Sequence, residues 1–94
     1  MLQFEWDPQK AAYNLKKHKV SFTEAATVFS DYLGSTMYDP DHSIEEDRYI
    51  TVGWSHRHRL LMVAFTERHN RIRIISAREL TQTEREAYEE EQHG

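Results

Sequence analysis

RYITVGWSHRHRLLMVAFTERHNRIRIISAR, residues 48–78, holds the pattern from which the architecture follows. It divides into three extended runs, Tyr49 to Trp54, Leu60 to Thr66 and Arg71 to Ala77, rich in β-branched and aromatic residues. Polar connections at Ser55 to His58 and Arg68 to Asn70 separate them. Connections this short join only antiparallel neighbours, because a parallel return needs a crossover of a dozen residues or so. Three strands of one meander follow. Within Arg71-Ile72-Arg73-Ile74, strand side chains alternate, so the arginines share one face and the isoleucines the other. The isoleucine face belongs to the core.

Toward the N-terminus, Leu2, Phe4 and Trp6 alternate with Gln3, Glu5 and Asp7, the period-two pattern of a strand with one buried face. Asp7 followed by Pro8 opens a helix, since Asp at N-cap accepts from an orphan amide and Pro at N1 has no amide to satisfy. The helix is predicted through Ala11, Ala12 and Leu15 to about His18. Ser21 with Glu24 forms a capping box, and Phe22, Ala25, Ala26, Val28 and Phe29 give a second helix its apolar face. Leu33 to Tyr38 reads as a short strand, and Asp39 to Ser43 as a polar turn. Past the meander, Thr81 with Glu84 is another capping box, opening a last helix through Ala87 and Tyr88 that frays into Glu89, Glu90 and Glu91. The expectation is one α+β domain over residues 1–94: a small antiparallel sheet packed against two N-terminal helices, with a C-terminal helix.

Charge is sorted along the chain. Residues 48–78 hold seven arginines and a single acid, Glu67, within a protein of net charge −4. Residues 31–47 and 79–94 carry most of the acids. A net negative protein repels polyanions at long range, so affinity for phosphate has to come from the local field of the arginine block. Hydrophobic residues make up 38% of the chain and charged ones 30%, a lean composition for a core of this size, so a partner or a dimer would add needed burial. The absence of cysteine excludes disulfides, thiolate nucleophiles and cysteine zinc sites. No apolar run approaches the roughly 20 residues that span a bilayer, and Met1 to Lys10 carries acids where a signal peptide would be basic and apolar. A soluble cytoplasmic protein is expected.

Three blocks carry a family likeness: FEWDPQKAAYNLKKHKVSFTEAATVF at 4–29, DHSIEEDRYITVGWS at 41–55 and TERHNRIRIISARELTQTEREAYEE at 66–90. Together they resemble the BrnT family of type II toxins over almost the whole chain. Lys19 departs from the family pattern, which usually has glycine after the histidine. The resemblance implies a fold like the RelE toxins and a ribonuclease that arrests translation. It also implies a cognate BrnA-like antitoxin of the ribbon-helix-helix type, with DNA bound only indirectly through that antitoxin.

The residues themselves fit phosphodiester chemistry. Guanidinium offers a rigid fork of donors to phosphate oxygens and stays charged at any working pH. RNA cleavage can use the substrate's own 2'-hydroxyl as nucleophile, so the protein needs only a base, an acid and charge stabilisation, with no metal and no cofactor. Glu67, alone among the arginines, is the candidate base; Arg73 and Arg78 are the candidates for stabilising the phosphorane. Arg68, Arg71, Arg48, Lys17 and Tyr88 are candidate substrate contacts, Tyr88 by analogy with a tyrosine on the C-terminal helix of RelE-like toxins. Each has a plainer reading: the arginines pair with neighbouring acids, Glu67 makes a hairpin salt bridge, and Tyr88, Trp6 and Trp54 pack. His56 and His58 read as exposed turn residues, His18 as a cation at a helix C-terminus, and His42 as either closing a turn or reaching the site. Histidine spacing gives no metal site. The competing functions are a noncatalytic RNA-binding module and an interaction half of a repressor complex.

Overall fold

A computed structural model describes residues 2–93. Strand β1 (Phe4–Glu5) leads into helix α1 (Pro8–His18) and helix α2 (Phe22–Thr27), which continues as a 3-10 turn over Val28–Ser30. Strand β2 (Ser35–Tyr38) and a second 3-10 turn, Pro40–His42, precede strands β3 (Arg48–Trp54), β4 (Leu60–Arg68) and β5 (Arg71–Glu79), and helix α3 (Gln82–His93) closes the described chain. The caps form where the local chemistry places them. The Asp7 carboxylate accepts from the Gln9 amide at 2.8 Å, and the Ser21 hydroxyl from the Glu24 amide at 3.0 Å. At α3 both arms of the box close: the Glu84 amide donates to the Thr81 hydroxyl at 3.2 Å and the Thr81 amide to the Glu84 carboxylate at 2.9 Å.

The five strands lie in the order β1-β5-β4-β3-β2. All neighbours are antiparallel except β1 and β5, which run parallel, so the expected antiparallel sheet carries one parallel pair at its edge. The pair arises because α1 and α2 carry the chain across one face of the sheet between β1 at one edge and β2 at the other. The strand expected over Leu2 to Trp6 has only two ladder residues, Phe4 and Glu5. Beyond them Asn14 takes over the edge of β5. Its buried side-chain amide donates to the carbonyls of Ala77 at 2.8 Å and Val20 at 2.9 Å and accepts from the Ala77 amide at 3.1 Å. One side chain thus stands in for a missing strand partner. The last hairpin is also tighter than expected, with Arg68 and Arg71 paired and His69 and Asn70 at φ 51° and 64°. Two positive-φ residues match the right-handed strand twist.

The core lies between the sheet and the first two helices. Val20, Phe22, Ala25 and Val28 meet Leu61, Val63 and Phe65 of β4 and Ile72, Ile74 and Ala77 of β5, with Phe4, Trp6, Phe29 and Tyr49 around them. Edge-to-face pairs fix the aromatics, Trp6 on Phe22 at 5.9 Å and Phe29 on Phe65 at 5.0 Å between ring centres. Trp6 therefore packs. On α1 the buried residue is Asn14, while Leu15 is exposed, so polar clamping and not an apolar stripe holds this helix to the sheet. The opposite face of the sheet carries a smaller cluster, in which Tyr88 of α3 covers Val52 and Leu60 beside Ile50, Met62 and Leu80.

Candidate active site

Helix α3 covers only part of that second face. Toward the start of β3 the face stays open as a cleft of about 380 Å³. Its floor crosses three strands, with Arg48 and Ile50 from β3, Met62 and Ala64 from β4, and Ser76 to Arg78 from β5. His18 enters from the β5 side, and Asp39 and His42 from the β3 side. Small side chains at Ala64 and Ser76 keep the floor low.

A bulge decides which arginines face this cleft. Phe65 pairs with Ile74 and Ala64 with Ser76, so Ile75 is the extra residue. In an unbroken strand Arg73 and Arg78, five positions apart, would point to opposite faces. The inserted Ile75 restores the parity: Ile72, Ile74 and Ala77 all enter the helix-side core, and Arg78 emerges on the other face beside Met62. Arg48, Arg68, Arg71, Arg73 and Arg78 consequently share one side of the sheet.

They do not share one site. The Arg73 guanidinium donates to Glu5 at 2.8 Å, Arg68 pairs with Glu46 at 2.9 Å, and Arg78 forks onto Glu84 at 2.7 and 2.9 Å. These are the neighbouring-acid pairs of the plainer reading. Mutual bonding holds Arg78 above its ordinary range and pulls the Glu84 carboxyl down to about 2, helped by the Thr81 amide. Arg78 is thereby fixed at the rim of the cleft with its charge partly offset. Arg48 differs: its Nε is buried without a hydrogen-bond partner, and it joins no ion pair among the described residues. Arg71 is exposed at the hairpin end.

Glu67 lies opposite Ile72, a core residue of the helix side, and so points away from Arg48, Arg73 and Arg78. The structure separates the candidate base from the groups it was to serve. Lys17 borders a neighbouring cleft shared with Asn14, His18 and Ser76, so His18 stands where the two clefts meet. The Tyr88 hydroxyl donates to the Leu33 carbonyl at 3.2 Å, and burial pushes it above its ordinary range. It anchors α3. Trp54 lies under Arg85 of the same helix, 5.1 Å from ring centre to guanidinium.

The turn carrying His42 is stitched to Arg48. The Asp39 amide donates to the Arg48 carbonyl at 2.8 Å, the Arg48 amide donates to the Ser43 hydroxyl at 2.9 Å, and that hydroxyl donates to the Asp39 carbonyl at 2.6 Å. Inside this loop Asp39 Oδ2 sits 2.8 Å from His42 Nδ1, with the carboxylate side chain 15% exposed and the imidazole 66%. The ring is held from one nitrogen and left open at the other. His56 and His58 lie in the loop at the far end of β3, where His56 bonds Thr27 at 3.0 Å through its amide and His58 turns the chain at φ 61°. They stay outside the cleft.

The sequence reading missed a further charged group, Glu24. Its side chain is 2% exposed, turned inward instead of completing its capping box, and it binds Arg59 through two oxygens and the Ser55 hydroxyl at 2.7 Å. The Arg59 bond pulls Glu24 below the usual carboxylate range. This pair ties the β3–β4 hairpin to α2 and uses up one of the seven arginines structurally.

The sequence profile of a family described as "Ribonuclease toxin, BrnT, of type II toxin-antitoxin system" matches residues 6–84. Among solved structures, the chain is similar to the 1.1 Å crystal structure of the Brucella abortus ribonuclease toxin BrnT, with a TM-score of 0.66 and 23% identity. The match covers 87% of this chain and 100% of the Brucella one, so the two share a fold. A comparison with curated proteins finds no match.

Proposed function

This chain belongs to the BrnT family of type II toxin-antitoxin ribonuclease toxins, and we propose that it cleaves RNA on the open half of its sheet, in the cleft between Arg48 and Arg78. The observation that carries the reading is the buried, unpartnered Nε of Arg48 at the floor of a cleft whose rim holds a second, Glu84-fixed guanidinium. A buried cationic donor without an acceptor is costly unless something anionic visits it. A phosphodiester supplies what is missing, and guanidiniums preset around it stabilise the charge that builds on the phosphorane. Arg71 and Arg73, on the same side of the sheet, lie along a path for the flanking backbone.

The proposed reaction is attack by the ribose 2'-hydroxyl on the adjacent phosphorus. The 2'-oxygen–phosphorus bond forms as the bond to the 5'-oxygen breaks, leaving a 2',3'-cyclic phosphate and a 5'-hydroxyl. Fixed guanidiniums do the electrostatic work that a metal would do elsewhere, so no metal is required. Destroying messenger in this way arrests translation in the cytoplasm. A BrnA-like ribbon-helix-helix antitoxin then neutralises the toxin by laying an acidic segment over the same basic cleft, and DNA is reached only through it. The 94 residues act as one domain.

The test is cleavage of a short RNA in excess EDTA with the product ends identified. Cyclic phosphate ends are expected, and Arg48→Ala should slow cleavage by about 10² to 10³. Intact RNA under all conditions, with tight salt-sensitive binding retained, would instead support a noncatalytic RNA-binding module. Full cleavage activity in the antitoxin complex would refute masking of the cleft.

A further inference from the structure

We propose that His42, oriented by Asp39, is the general base of this reaction and that His18, on the opposite wall of the same cleft, is the general acid. The inference rests on the cleft being the RNA site and adds the proton carriers that Glu67, turned to the other face, cannot be. Asp39 Oδ2 and His42 Nδ1 are 2.8 Å apart, and a carboxylate there holds the proton on Nδ1, leaving the Nε2 lone pair free. The loop that presents this ring is bonded twice to the Arg48 backbone and once within itself, so imidazole and free guanidinium are positioned by one unit.

The geometry across the floor suits an in-line displacement, in which entering and leaving oxygens sit on opposite sides of phosphorus. His42 enters beside β3 and His18 beside β5, with β4 between them. Strand spacing puts β3 and β5 about 10 Å apart, so a phosphodiester fits over the floor between them. His18 is held there because the Asn14 amide locks its helix to the backbone of Ala77. Nε2 of His42 takes the proton from the 2'-hydroxyl as its oxygen bonds to phosphorus. His18, protonated, gives its proton to the 5'-oxygen as that bond breaks. Proton exchange with water resets both rings.

Asp39 is a positioning residue. Changing it to Asn reverses the hydrogen-bond polarity at Nδ1 and moves the proton to Nε2, the wrong nitrogen for a base.

Single-turnover cleavage of a short RNA separates the roles. His42→Ala and His18→Ala should each lose about 10² to 10³ in rate, while binding of the same RNA with a 2'-O-methyl at the scissile ribose changes by no more than about threefold. A substrate with sulfur in place of the 5'-bridging oxygen leaves as a thiolate and needs no proton. It should bring His18→Ala to within about tenfold of the unmodified protein and leave His42→Ala slow. Asp39→Asn should lower kcat with KM unchanged, and His56→Ala, outside the cleft, should cleave normally. Retention of more than about a tenth of the rate by either cleft variant, or sulfur rescue of His42→Ala, would overturn the assignment. If Arg48→Ala is inactive while both histidine variants cleave, only the histidine roles fail; if all three cleave normally, the cleft itself is wrong.

Discussion

Lys19 closes α1 at φ 60° and ψ 30°, its amide donating to the Leu15 carbonyl at 3.0 Å. This is the left-handed cap position that glycine fills without cost, and here a lysine occupies it. Lys19→Gly is therefore expected to stabilise the fold by about 0.5 to 1 kcal/mol, read as a rise in Tm of several degrees; a fall in Tm would show that the lysine side chain contributes more than the strain it imposes. At Glu24 the balance runs the other way. Breaking a buried ion pair by removing one partner leaves an uncompensated charge, and losses of about 3 to 5 kcal/mol are usual. The Ser21–Glu24 spacing was legible as a cap, and the cap exists. The inward turn of the Glu24 carboxylate was not, because its partner Arg59 is 35 residues away.

At the scale of elements, the caps and periodicities that the sequence displays recur in the structure as α1, α2, α3 and the meander, each being a matter of neighbours a few residues apart. What the pattern did not display is the bulge at Ile75, the Asn14 clamp on β5 and the parallel seat of β1, each set by pairing between distant segments. Helix α3 illustrates how one element depends on a single carboxyl. Glu84 closes its N-terminal box and also fixes Arg78, and its folded value of about 2 lies below its ordinary 4.5. A depressed carboxyl contributes stability that is fully present above the unfolded value and is lost as pH falls from about 4.5 toward 2. The denaturation midpoint should drop across that window, and Glu84→Gln should flatten part of the drop; Glu24, lowered in the same direction, supplies another part. An unchanged acid profile in the variant would show that the Arg78–Glu84 bond does not outlast solvent screening.

For the whole molecule, the sorted charge of the sequence suggests a broad basic surface, whereas the folded chain pairs Arg59, Arg68, Arg73 and Arg78 with Glu24, Glu46, Glu5 and Glu84, half of them from the acidic segments. Few arginines of the block remain to displace counterions from RNA at the cleft. With single strands contributing a slope of about −0.7 per neutralised phosphate, two or three free cations give log K against log salt a slope of about −1.4 to −2, while seven would give nearly −5. A steep measured slope would show that RNA breaks the internal pairs. The α+β class, the meander, the three capped helices and the family likeness were all readable from the residue order, because hydrophobic period and capping act between near neighbours. Folding in three dimensions was needed to turn Glu67 away, to bring Arg78 round to the arginine side through the bulge, to leave Arg48 unpaired on the cleft floor and to set His18 and His42 on one cleft. Those outcomes depend on which distant residues meet, and no local spacing encodes such a meeting.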